Sequence, residues 1–139
     1  MSQAGRRLAA FALLVRDYDE AIDWFCDKLG FSLVSDEDLG VGKRWATITP
    51  ARSDGTALLL ARAATQEQLA LVGRQGAGRV LLFLETDDFD RDHARMAARG
   101  VTFLEEPRRE TYGSVAVFLD LCGNRWDLIE PQRRDGPAA

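Results

Sequence analysis

Apolar and polar positions along the chain spell out one short pattern twice. Residues 8–15 form a nearly continuous apolar run bounded by charge, which predicts a buried strand. Asp17 then stands where a helix N-cap belongs, and Glu20, three residues on, completes a capping-box pattern. Ala21, Ile22, Phe25 and Leu29 fall on one helical face, and Gly30 follows as the C-cap. Strands are predicted at residues 32–36, 44–49 and 57–62, with turns at Gly40-Val41-Gly42 and Ser53-Asp54-Gly55. Residues 65–78 are polar and increasingly glycine-rich, with a helical patch at 66–72, and read as a connector. The pattern then restarts. A strand at 80–85 leads to a helix capped by Asp88 and running through Phe89, Met96 and Ala97 to Gly100. Strands at 102–105, 114–119 and 125–130 complete it.

The punctuation repeats along with the elements. Asp17-Tyr18-Asp19 is answered by Asp88-Phe89-Asp90, and Leu29-Gly30-Phe31 by Arg99-Gly100-Val101. A match at half the chain length points to a duplicated unit. Module 1 is placed at about residues 8–64, the connector at 65–78 and module 2 at about 79–131. At 139 residues the whole suits a single domain, 1–139, with a core large enough to need no staples. The short polar tails at 1–7 and 132–139 read as frayed ends.

Charge and cysteine usage narrow the function classes. A net charge of −4 argues against nucleic acid and anionic membranes, which require a basic face. No long apolar run and no targeting segment are evident, so a cytoplasmic protein is expected. Cys26 and Cys122 belong to no CxxC pair and read as free thiols. There is no GxSxG elbow, no recognisable Cys–His spacing, and no glycine-rich loop opening a helix, since Gly73–Gly78 precedes a strand.

Three stretches carry a family resemblance. They are Val15-Arg16-Asp17-Tyr18-Asp19-Glu20-Ala21-Ile22-Asp23-Trp24-Phe25 with Leu29-Gly30-Phe31, then Gly100-Val101-Thr102-Phe103 with Glu106-Pro107, and finally residues 118–128, centred on Gly123-Asn124-Arg125-Trp126-Asp127. Together they resemble the vicinal-oxygen-chelate superfamily of glyoxalase I, extradiol dioxygenases, and fosfomycin- and bleomycin-resistance proteins. The resemblance implies an α+β fold of two βαβββ modules, forming an open, cleft-bearing β-barrel with helices outside. It also implies a homodimer.

Metal-using members of that superfamily supply His or Glu from the first and last strands of each module, leaving positions open for substrate. Carried over by resemblance, those positions fall at Ala10, at Leu58 or Leu60, near Leu81 and at Asp127. One carboxylate and three hydrocarbons do not chelate a metal, so no metal and no cofactor are expected. The sole histidine, His93, falls on a helix stripe and reads as a packed residue. Cys122 occupies a turn where the family often has an acid.

Strand alternation and residue type then nominate a ligand-binding set of Tyr112, Trp45, Arg44, Arg125 and Asp127. Arg108 and Arg109 are further candidates for an anionic group. Three functions compete. The first is metal-independent binding of a small amphipathic compound, of the bleomycin-resistance type. The second is a lyase or isomerase of glyoxalase-like ancestry using Asp127 as its base. The third is a non-catalytic interaction module. The expected partner is an unidentified small molecule rather than nucleic acid or membrane.

Overall fold

Two runs of strand, helix and three strands follow one another in the computed structural model, which describes residues 5–50 and 55–132. Ser53 and Asp54 of the predicted turn, and the outer parts of both tails, lie outside the described residues. The chain forms two compact units, one ending at Val72 and the other beginning at Gly73.

The first unit contains β1 (Ala10–Val15), α1 (Tyr18–Leu29), β2 (Phe31–Gly40), β3 (Lys43–Pro50), β4 (Ala57–Arg62) and α2 (Gln66–Leu71). Its four-stranded mixed sheet has the order β1-β4-β3-β2, with β1 parallel to β4 and the other pairs antiparallel. Asp17 caps α1 as the sequence predicts, its carboxylate accepting the Glu20 N–H at 2.8 Å. Gly30 closes the helix in the left-handed conformation at φ 71°. Leu13, Val15, Ala21, Phe25, Phe31, Ala46, Ile48 and Leu60 are buried and form the core of this unit. Most of β2 is exposed and carries Asp36, Glu37 and Asp38, charges that suit an unpaired sheet edge.

The predicted connector divides. Residues 66–71 form α2, capped by Thr65, whose hydroxyl accepts the Gln68 N–H, while Gln68 Oε1 accepts the Ala64 N–H at 2.7 Å. This helix belongs to the first unit, and the boundary comes immediately after it.

The second unit contains β5 (Val80–Glu85), α3 (Phe89–Ala98), β6 (Arg108–Glu110), β7 (Gly113–Leu119) and β8 (Arg125–Pro131). Its sheet order, β5-β8-β7-β6, reproduces the first, again with one parallel pair, β5 and β8. Both sheets are open, ending in edge strands. Asp88 caps α3 by accepting the Arg91 N–H, and Glu130 of β8 accepts the Phe89 N–H at 2.8 Å. Phe89, His93, Phe103, Phe118 and Trp126 form a continuous run of ring contacts from α3 to the sheet.

One predicted strand is corrected. Residues 102–105 make only a single bridge, Phe103 to Phe118, and the edge strand is β6 at Arg108–Glu110. The carboxylate of Glu105 accepts the Val117 N–H at 2.9 Å, so a side chain replaces the ladder at that point. Arg108 and Arg109, the further candidates for an anionic group, therefore lie in a strand.

The β7–β8 turn is organised by a residue the sequence reading overlooked. Asp120, 6% exposed, accepts the N–H groups of Cys122, Gly123 and Asn124 on one oxygen. Its other oxygen accepts from Asn124 Nδ2 at 3.1 Å and Trp126 Nε1 at 3.0 Å. Gly73 packs on this turn so closely that an added Cβ would stand 2.1 Å from the Cys122 carbonyl oxygen.

Candidate functional site

In the first unit the long β2–β3 hairpin builds a groove. Asp38 accepts the Gly40 N–H at 2.8 Å, and Gly40, Val41 and Gly42 turn the chain with φ of 89°, 48° and 78°. The tip carries Leu39 and Val41 out of the sheet, with Val41 wholly exposed. Opposite it stand Ala64 and Gln68, at the start of α2. Between them, where β1 and β4 end and β3 begins, lies a cavity of about 590 Å³. Leu14, Leu39, Val41, Trp45, Leu59 and Ala61 give it an apolar lining, and Trp45 is 44% exposed.

The two candidates in β3, Arg44 and Trp45, are consecutive and by strand alternation leave the sheet on opposite faces. Arg44 is engaged within the protein. It donates through Nε and Nη2 to the two oxygens of Asp36 at 3.0 and 2.6 Å, and through Nη1 to Asp19 at 2.9 Å. Its guanidinium lies 5.1 Å from the centre of the Tyr18 ring, and its backbone N–H donates to the Tyr18 hydroxyl. These bonds, Asp36 first, hold the Arg44 guanidinium above its ordinary pKa. Arg44 thus ties the root of the hairpin to the start of α1, while Trp45 faces the groove.

The second unit carries the other candidates. Asp127 sits in β8 between the buried Trp126 and Leu128, so it projects from the sheet face away from α3, in register with Val117 and the exposed Phe83. One of its carboxylate oxygens, Oδ1, is buried without a hydrogen-bond partner. Burial pushes its pKa above the ordinary carboxylate value; Arg108 pulls it down and Glu105 adds to the rise. Arg125 is exposed and shares the strand parity of Asp127. Arg108 donates to Glu105 at 2.9 Å and to Glu110 at 2.8 Å, and approaches the Tyr112 hydroxyl at 3.4 Å. Tyr112 is half exposed in the turn before β7. Arg109 donates to Asp90 and Ser114.

The donor set does not fit a catalytic metal. Ala10, carried over as a ligand position, stands in β1 with Ala12 and Leu14 in the same alternation. The expectation at Leu58 or Leu60 is corrected. Both are buried in register with Ile48 and Ala46, and the residue of opposite parity is Leu59, also a hydrocarbon. Among the described residues no group of three or more His, Cys, Asp or Glu could hold a metal ion. His93 lies between Phe89 and Phe103, with ring centres 5.6 and 4.1 Å away, and its Nε2 is buried without a partner. Burial raises the Cys26 thiol pKa, with Asp23 adding to it, which works against nucleophilic use. No helix among the described residues is long and apolar enough to cross a membrane.

Lys43, Arg62, Leu39 and Val41 line the groove and were not singled out from sequence. A signal for the last two was available: large apolar residues on both sides of Gly40, in a turn where burial is not expected.

Comparisons with known proteins agree with this architecture. The family model described as the Glyoxalase/Bleomycin resistance protein/Dioxygenase superfamily matches residues 7–128. An uncharacterised protein of Shewanella frigidimarina is 51% identical over 120 residues, spanning 86% of this chain and 89% of its own. Among solved structures, UcmS2 superposes with a TM-score of 0.79 at 27% identity, over 90% of this chain and 98% of that one. TnmS3 of Streptomyces sp. CB03234, described as an antibiotic binding protein, superposes with a TM-score of 0.75 at 30% identity, over 94% of this chain and 100% of that one. With two βαβββ units in tandem and a family match that spans both, the chain belongs to the glyoxalase/bleomycin resistance protein/dioxygenase superfamily.

Proposed function

We propose that the chain binds a small amphipathic molecule, without a metal, in the groove of the first unit. The observation that carries this reading is the cavity of about 590 Å³ beside Trp45, walled by an apolar hairpin tip. Its volume and its mainly apolar lining with a few polar groups are those of a small-molecule site. An antibiotic binding protein among the structural relatives supports the same reading. The test is calorimetric titration with a panel of planar aromatic and macrocyclic compounds against the parent chain and Trp45→Ala. A saturable ligand should bind the variant at least about tenfold more weakly, since a central aromatic contact dominates such sites. Equal affinity for the variant would place binding elsewhere.

A second reading rests on Asp127. Its unpartnered Oδ1 and raised pKa suit a general base of a lyase or isomerase. Under that reading Asp127→Asn abolishes turnover while leaving ligand affinity nearly unchanged. Turnover retained in that variant would remove Asp127 as the base.

A further inference from the structure

We infer that the molecule taken by the groove of the first unit is an amphipathic anion: an apolar, flat body carrying a carboxylate or similar acid. This deepens the binding reading above and rests on it.

Among the described residues lining the groove are three cations, Lys43, Arg44 and Arg62, and no acid. Arg44 is neutralised by Asp36 and Asp19. Lys43 and Arg62 make no ion pair with any described residue, so their charges are available to a ligand. Arg62 is also placed by the fold. At the end of β4, in register with Val15 of β1, it has no carboxylate partner among the described residues. The Arg62 guanidinium instead rests on the hairpin tip, where a Cβ added to Gly42 would come 3.0 Å from Nη2. Lys43 begins β3 on the same strand parity as Trp45, so the ammonium and the indole serve one face.

Carboxylates do occur near the tip, but in a different cavity. Asp36 and Asp38 line a smaller hollow of about 390 Å³ that shares Val41, Gly42 and Arg44 with the groove. One is bonded to Arg44 and the other to the Gly40 N–H. Asp36 is thereby spent on Arg44 and Asp38 turns to the Gly40 N–H beside the smaller hollow, while Lys43 and Arg62 line the groove with no ion pair among the described residues. A protein of net charge −4 thus presents a positive rim at its apolar cavity, the reverse of what the overall balance suggests. Complementary charge beside an apolar surface selects sign and orientation as well as adding affinity.

The test compares three probes with one ring system: 2-naphthoate, 2-naphthamide and 2-naphthylmethylammonium. Affinities are measured by calorimetry at low ionic strength. Naphthoate should bind about three- to tenfold more tightly than the amide, the range two solvent-exposed cations supply, and the ammonium should bind most weakly. Its advantage should shrink in high salt. In the Lys43→Met/Arg62→Met variant, naphthoate should fall to the amide's affinity while the amide keeps its own, which also shows that the variant is folded. The inference is overturned if naphthoate binds no better than the amide, or if the double variant keeps the preference. Failure of all three probes to bind would instead strike the groove reading itself, and this inference with it.

Discussion

Single carboxylates in this protein do opposite things according to what surrounds them. Asp36 accepts from Arg44 on both of its oxygens, which holds its pKa low. Asp92 is drawn upward by burial, but hydrogen bonds from Arg91 and Thr86 outweigh that and leave it low. Asp127, with one oxygen unpartnered, goes up. Between its unfolded and folded pKa values the folded chain holds a proton that the unfolded chain has lost, so this group's contribution to stability falls as pH rises through that window. Asp127→Asn should therefore be more stable than the parent at neutral pH. The difference should vanish below the ordinary carboxylate range, about pH 4. Urea denaturation at both pH values checks this, because the contributions of Asp36 and Asp92 cancel in the comparison. A parent as stable as the variant at neutral pH would show that Asp127 is solvated.

Asp120 makes the opposite case. Replacing it with Ala strips the acceptor from three backbone N–H groups and the Trp126 indole in a buried turn. The expected loss is roughly 3 kcal/mol, measured by chemical denaturation.

At the scale of elements, what could be read from sequence was what is encoded within a few residues. Asp17 and Asp88 each cap a helix through an N–H three residues on, and the caps fixed where α1 and α3 start. Replacing either with Ala should cost about 1 kcal/mol. Strands β4 and β5 were legible because their apolar runs are bounded by charge and turn residues. Strand β6 was not, because Arg-Arg-Glu has no apolar alternation and its pairing with β7 depends on Glu105 ending the ladder before it. The candidate site was legible in part. Aromatic residues near turns could be named, but which face each strand shows depends on register, as the reversal at Leu58 and Leu60 illustrates. The hairpin tip was seen only as a turn. Gly42→Ala there meets both a left-handed φ of 78° and the Arg62 guanidinium. It should cost about 1 kcal/mol in stability. It should also weaken naphthoate more than naphthamide, because Arg62 must move.

The whole chain repeats one topology, yet its two copies have diverged in what they offer a ligand. The first copy extends β2 to ten residues and lifts an apolar hairpin tip; the second reduces the matching edge strand β6 to three. In the second copy the two arginines of the edge strand are taken, Arg108 by Glu105 and Glu110 and Arg109 by Asp90. Each copy has its own buried core, so local protection can report on each separately. With a bound ligand at a hundred times its Kd, mass action adds roughly 2.7 kcal/mol to the stability of the binding form. Hydrogen exchange should place that gain. Amides of residues 39–45 and 59–68 should slow by up to about a hundredfold, the protection that saturation allows. Those of the Asp120 turn should not change, since five internal hydrogen bonds already hold it. Protection centred on β7 and β8 instead would move the binding site to the Asp127 face. The ligand would then lie in the copy where Arg108 and Arg109 are held by acids, rather than beside Lys43 and Arg62, which make no ion pair with any described residue.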